Sequence, residues 1–145
     1  MDELSDVYND IIMEHSMNSH NKKELEGATC CKMGHNPNCG DEIKLEVKIN
    51  GDIIEDLAFT GHGCAISQAS TSIMIDTLRG KKIEEAKEIV KTFIEMIKRE
   101  TKDENELKKL EYAIAFKNIS NMPARVKCAL LAWHTIEECL GSEEE

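Results

Sequence analysis

"DEIKLEVKINGDIIEDLAF", residues 41–59, decides how the rest of the chain is read. Ile43, Leu45, Val47 and Ile49 alternate with Lys44, Glu46 and Lys48. Successive side chains of a strand point to opposite faces, so this run predicts a strand with one face buried and one wet. Asn50-Gly51 marks a turn, and Ile53, Leu57 and Phe59 carry the apolar pattern onward. A two-residue Asn-Gly loop would set Ile49 against Asp52 and send the two apolar sets to opposite faces. Parity therefore predicts a three-residue turn with a left-handed Gly51. A short third strand is expected near Phe59 to Gly63.

Beyond the hairpin the apolar period becomes helical. Ala65 to Leu78 is rich in small residues and is ended by Gly80. Ile83, Ala86, Ile89, Val90, Phe93, Ile94 and Ile97 form a regular stripe. Leu107, Leu110, Ala113 and Ile114 predict a shorter helix. Pro123 opens the last one, which carries Val126, Ala129, Leu130, Trp133, Ile136 and Leu140. Upstream, Leu4, Val7, Tyr8, Ile11 and Ile12 have the spacing of an amphipathic helix. Residues 19–40 show no periodicity and read as a flexible loop of functional length. Strands followed by helices predict an α+β domain, a three-stranded antiparallel sheet packed against helices. A length of 145 residues suits one domain, 1–145, with a disordered acidic tail over 141–145.

The formal charge is −10, from 28 acidic and 18 basic residues. Such a field repels phosphates, so nucleic acid and anionic membranes are poor partners and a cation or basic protein suits better. No run approaches the roughly 18 continuous apolar residues of a spanning helix. The start, "MDELSDVYND", is acidic where a secretory signal is basic and then apolar, so a cytoplasmic location is expected. In a reducing compartment, six cysteines read as metal or redox chemistry rather than structural disulfides.

Cys64, in "TGHGCAISQAS", falls where a strand gives way to a helix, whose free N–H groups favour negative charge on sulfur. The competing reading is a buried cysteine acting as a small hydrophobe. Cys128, in "MPARVKCALLAWHTI", lies about one turn into its helix near Arg125 and Lys127, and is either a ligand or core. Cys39 and Asp41 flank Gly40 in "HNPNCGDEI", a composition that also suits a plain turn. Together, Cys39, Asp41, Cys64 and Cys128 offer four anionic donors at element edges. That set suits tetrahedral zinc or an open iron–sulfur site, and the spacing permits their union without requiring it.

The remaining candidates read more blandly. Cys30 and Cys31 are adjacent in the loop and read as non-essential. Cys139 returns to the face of Cys128 but about 16 Å further along the axis, so it reads as packing. His62 precedes Cys64 by two and is weighed as an exposed neighbour or a ligand. His15, His20, His35 and His134 read as surface or loop residues.

Taken jointly, "NPNCGDEI", "GHGCAISQASTSIM" and "PARVKCALLAW" resemble, in order and position, the U-type iron–sulfur cluster assembly proteins. The chain is similar to the SufU branch, related to the scaffold IscU, over essentially its whole length. The resemblance implies a SufE/IscU-like fold and Cys39, Asp41, Cys64 and Cys128 as metal ligands. Scaffold-type members have a histidine immediately before the last cysteine, where this chain has Lys127. The helical stretch 80–117 resembles the SufU insertion, and "MPARVK" only partly resembles the chaperone-docking motif of IscU. Zinc is implied in the resting site, with iron or a [2Fe–2S] cluster as the alternative. A pyridoxal-phosphate cysteine desulfurase and downstream iron–sulfur assembly proteins are the implied partners. Cys39 is the expected persulfide acceptor, freed when a partner histidine takes its place on the metal. Three rivals stand beside this sulfurtransferase reading: a [2Fe–2S] scaffold on the same ligands, a structural zinc domain, and a hydrolase pairing Cys64 with His62.

Overall fold

The computed structural model describes residues 3–17, 19–36, 40–100 and 104–141. Its sheet is built from Cys30–Asn36 (β1), Asp41–Asn50 (β2) and Ile53–His62 (β3), all antiparallel in the order β1-β2-β3. Opposite partners Leu45 and Phe59, and Val47 and Leu57, put the alternating apolar residues of both strands on one face. All four are fully buried.

The hairpin solves its parity problem differently from the expected three-residue turn. Asn50 pairs with Ile53 across a two-residue turn, Gly51–Asp52, in which Gly51 is left-handed at φ 66°. The odd residue is a bulge instead: Lys48 pairs with Asp56 and Ile49 with Ile54, leaving Glu55 extra. A bulge restores the facing of the apolar sets as well as a longer loop would.

The third strand also lies elsewhere than expected. Phe59 to His62 only completes β3, whereas β1 lies within the aperiodic stretch 19–40, where the sequence predicts a loop. Its inward positions are Gly34 and Asn36, so no apolar alternation betrays it. The same stretch covers the outer edge of β3, where Phe59 N–H donates to Asn21 O at 3.1 Å and Lys23 N–H to Phe59 O at 2.9 Å. An edge covered this way is closed to further strand pairing.

Helices cover the apolar face: α1 (Glu3–Met17), α2 (Ala65–Leu78), α3 (Ile83–Ile97), the single turn α4 (Glu104–Leu107) and α5 (Pro123–Leu140). The predicted short helix is α4 continued by a 3₁₀ segment, Lys108–Asn121, interrupted at Glu111, whose φ is 53°. Pro123 starts α5 as expected, and Gly141 ends it in the left-handed region at φ 70°. Trp133 of α5 is the centre of the core. Its ring stacks on Phe93 of α3 with centroids 3.9 Å apart, and its Nε1–H donates to Ser70 Oγ of α2 at 2.9 Å. Ser70 passes the bond to Ala129 O at 2.6 Å, so no polar atom of this buried chain of contacts is wasted. No helix of the described residues is long and apolar enough to cross a membrane. The expected acidic tail at 142–145 lies outside the described residues.

Candidate metal centre

Three elements converge at one end of the sheet. Asp41 is the first residue of β2, Cys64 caps the N-terminus of α2, and Cys128 lies in the second turn of α5. Each local structure has a cause. The β3–α2 junction brings Gly63 so close to Asp41 that a Cβ there would sit 2.7 Å from Asp41 Oδ1. Cys64 has the extended backbone of an N-cap, and its sulfur accepts the Ser67 N–H at 3.4 Å in place of the usual capping oxygen. Cys128 is carried on α5, which packs against both α2 and β1.

Asp41 is fully buried. Its Oδ1 accepts the backbone N–H of Cys64 at 2.8 Å, while its Oδ2 is buried with no hydrogen-bond partner. A buried carboxylate oxygen left in this way is costly unless a cation completes it. Two sulfurs stand ready beside it: ligand atoms of Asp41, Cys64 and Cys128 all lie within 4.8 Å of one another. Ligand atoms of tetrahedral zinc are roughly 3.3–3.8 Å apart, so a small contraction would close this cluster on an ion. The donor set, two sulfurs and one carboxylate oxygen, fits zinc and lacks only a fourth member.

Of the four expected ligands, the structure therefore gathers three. The fourth, Cys39, lies outside the described residues, two positions before Asp41 in the chain. His62 does not join them. It is largely exposed and faces Glu42, Nε2 to Oε1 at 3.7 Å. Cys31 is an exposed thiol. Cys30 and Cys139 depart from the expectation: they form a disulfide, with Cα atoms 5.9 Å apart. The partner of Cys139 is not on its own helix but is the first residue of β1.

Two further residues serve the site that sequence reasoning passed over. Asn36, the buried last residue of β1, donates from Nδ2 to Cys128 Sγ at 3.9 Å. An N–H bond to a ligand sulfur orients it and spreads its charge. Ser67 is buried beside Cys64 with its hydroxyl unpartnered. Asn before Pro signals only a turn, and both roles depend on tertiary placement, so no sequence signal marks them. A second polar cluster joins α1 to α2. His15 Nδ1 lies 2.7 Å from Ser72 Oγ, and His20 Nε2 lies 3.0 Å from Asp76 Oδ1. Burial pushes His15 below its ordinary value, with the Asp76 charge opposing. His15 is thus a half-buried network member rather than a plain surface residue.

Comparison with known proteins agrees with this architecture. The model of the NifU-like N-terminal domain matches residues 7–142. A Bacillus subtilis protein named zinc-dependent sulfurtransferase SufU is 41% identical over 142 residues, covering 97% of this chain and 94% of the relative. A Streptococcus pyogenes protein named iron–sulfur cluster assembly scaffold protein IscU is 37% identical over 140 residues, covering 97% and 86%. A crystal structure from Fervidobacterium islandicum, described as an iron–sulfur cluster assembly scaffold for the SUF system, superposes with a TM-score of 0.83. It is 42% identical, with 90% of this chain and 93% of that one covered. With its SufU/IscU-like sheet, helices and gathered Asp-Cys-Cys cluster, the chain belongs to the family of NifU-like N-terminal domains.

Proposed function

We propose that the chain serves iron–sulfur cluster assembly by accepting sulfur from a pyridoxal-phosphate cysteine desulfurase onto Cys39, at a zinc site formed by Cys39, Asp41, Cys64 and Cys128. The observation that carries this reading is Asp41, a fully buried carboxylate with one oxygen unpartnered and two cysteine sulfurs at hand. The name of the Bacillus relative supports the zinc-dependent form, as does Lys127 where scaffold-type members carry histidine. Zinc bound there would hold the sulfurs deprotonated without any redox change of its own.

Each residue then has a defined task. The Cys39 thiolate attacks the outer sulfur of the desulfurase persulfide. The bond between the two persulfide sulfurs breaks, its electron pair leaves on the desulfurase cysteine, and Cys39 becomes the persulfide. Asp41 is held by the Cys64 N–H, which leaves its second oxygen without a hydrogen-bond partner and available to an ion. Asn36 holds the sulfur of Cys128. Downstream iron–sulfur assembly proteins receive the sulfur, and a hard carboxylate among soft thiolates keeps the site exchangeable.

A second reading, a scaffold on which a [2Fe–2S] cluster is built by the same donors, is favoured by the name of the Streptococcus relative. Anaerobic purification with metal analysis, followed by a desulfurase assay, separates the two. Sulfur transfer predicts tight zinc and strong stimulation of cysteine turnover that Cys39→Ala abolishes. Cluster reconstitution in good yield with little stimulation would move the assignment to the scaffold. A metal-free chain with full activity would overturn the ligand set.

A further inference from the structure

We infer that Cys30 and Cys139 form a reversible dithiol/disulfide site, exchanged by an external thiol couple, whose state sets how firmly the metal centre grips its ion. The inference begins with the way the cysteines are sorted. Cys64 and Cys128 are kept as separate thiols around a carboxylate, whereas Cys30 and Cys139 are joined. Both bridge residues are half-buried, packed against the edge of the core rather than sealed inside it, which is where an external thiol has the shortest path to a bridge sulfur.

The exchange has to come from outside the chain. Cys31 is the nearest free thiol in sequence, but successive residues of a strand face opposite ways. Cys31 stands across from Glu46 while Cys30 stands across from Val47, so Cys31 points away from the bridge. An external thiol couple therefore supplies the electrons. A thiolate of that couple attacks one bridge sulfur, and the other cysteine leaves as a thiolate. A second external thiolate then attacks the external sulfur of the mixed disulfide, forming the couple's own disulfide and releasing the second cysteine. Two electrons and two protons pass to Cys30 and Cys139.

The link to the metal centre is the seam between β1 and α5. Cys30 opens β1 and Asn36 closes it; Cys128 is near the start of α5 and Cys139 near its end. One pair of elements is thus joined covalently at one end and through the Asn36–Cys128 bond at the other. By strand and helix rise, the two junctions are about 16–20 Å apart. Gly34 lies between them, where a Cβ would be 2.3 Å from Thr135 Oγ1, so β1 and α5 are in direct contact between the two junctions and a shift at one is passed toward the other. Opening the far end lets β1 shift on α5 and slackens the hold on Cys128.

The test equilibrates the full chain, on a Cys31→Ser background, in reduced and oxidised glutathione. Acid quenching, alkylation and intact mass then count the thiols. Zinc affinity is read by chelator competition in both states. The expected result is one two-electron transition in which Cys30 and Cys139 change together, with zinc bound several-fold more weakly when they are reduced. Cys30→Ser with Cys139→Ser abolishes the transition and fixes the weaker affinity, and the reduced unmutated pair checks that variant without mutation. A pair that stays wholly oxidised or wholly reduced at every ratio would overturn the inference. Unchanged zinc affinity across the transition would overturn its link to the metal. Neither readout needs a desulfurase, so failure here is distinct from failure of the sulfur-transfer reading.

Discussion

The two ends of the β1–α5 seam are both fastened by cysteine, and they differ in kind. At the near end, Cys128 meets Asn36, Asp41 and Cys64, and the sulfurs stay apart around a buried carboxylate oxygen. At the far end, no third ligand group gathers around Cys30 and Cys139 among the described residues, and they bond to each other. The difference shows that a cysteine's role is set by its company. Two thiols facing a carboxylate whose charge is unmet are poised to share a cation, while two thiols facing only each other are poised to be oxidised.

The largest expected effect lies between the ends. Trp133 is fully buried, stacked on Phe93 and hydrogen-bonded to Ser70, so it fastens the middle of α5 without any sulfur contact of its own. Trp133→Ala should cost about 3–5 kcal/mol in denaturant unfolding. A loss below about 1 kcal/mol would mean that the sulfur junctions, not the core, hold the helix.

Breaking the far junction comes next. The bridge spans a sequence separation of 109, so it removes much of the freedom of the unfolded chain. Reduction or Cys30→Ser should cost about 2–4 kcal/mol and lower Tm by roughly 5–15 °C. Denaturant midpoints measured with and without a phosphine reductant check this. Identical midpoints would mean that the unfolded chain is already compact around this pair.

How far sequence could foresee these junctions follows from the same contrast. The near end was readable because its donors sit in motifs with turn and cap chemistry around them, which the resemblance then joined. The far end was not, because the pairing of Cys30 with Cys139 exists only once β1 packs on α5. β1 itself escaped detection because its buried positions, Gly34 and Asn36, carry no apolar side chain. The hairpin was legible in its strands and in left-handed Gly51, but parity alone does not say whether the odd residue enters a turn or a bulge. Leu107, Leu110, Ala113, Phe116 and Ile119 are all buried and recur every third residue, which is the period of a 3₁₀ helix rather than an α-helix.

Gly63→Ala sharpens the comparison at the near end alone. A Cβ 2.7 Å from Asp41 Oδ1 must displace the carboxylate, while the bridge at the other end of the seam is untouched. Zinc affinity should fall roughly 10–100-fold, with about 1–2 kcal/mol lost from the metal-free chain. Chelator competition and unfolding on the same samples measure both. Unchanged affinity would show that Asp41 is not a ligand.

The smallest effect tests a junction off the seam, where α1 meets α2 through protons instead of sulfur. Burial lowers the His15 pKa from 6.5, partly opposed by the Asp76 charge. The unfolded chain therefore binds the proton first, and stability is full above about pH 6.5 and declines as pH falls through the folded value. Asp56 and Asp76 act lower still. Burial would raise both, but hydrogen bonds outweigh it, from Arg79 and the Leu57 N–H to Asp56 and from Asn21, His20 and Arg79 to Asp76. Their contribution is present above the ordinary 3.8 and is lost only as pH falls through the depressed values. Melting of the metal-free chain should thus weaken gently as pH falls below about 6.5, before the steeper acid loss. His15→Asn, which can still bond Ser72 without titrating, should flatten that first slope and leave the acid limb in place. Removing the metal keeps ligand protonation out of the measurement, and reducing the bridge should not alter the slope, because the polar partners of His15, Ser72 and Asp76, belong to α2. An identical slope in the variant would assign the titration to another group.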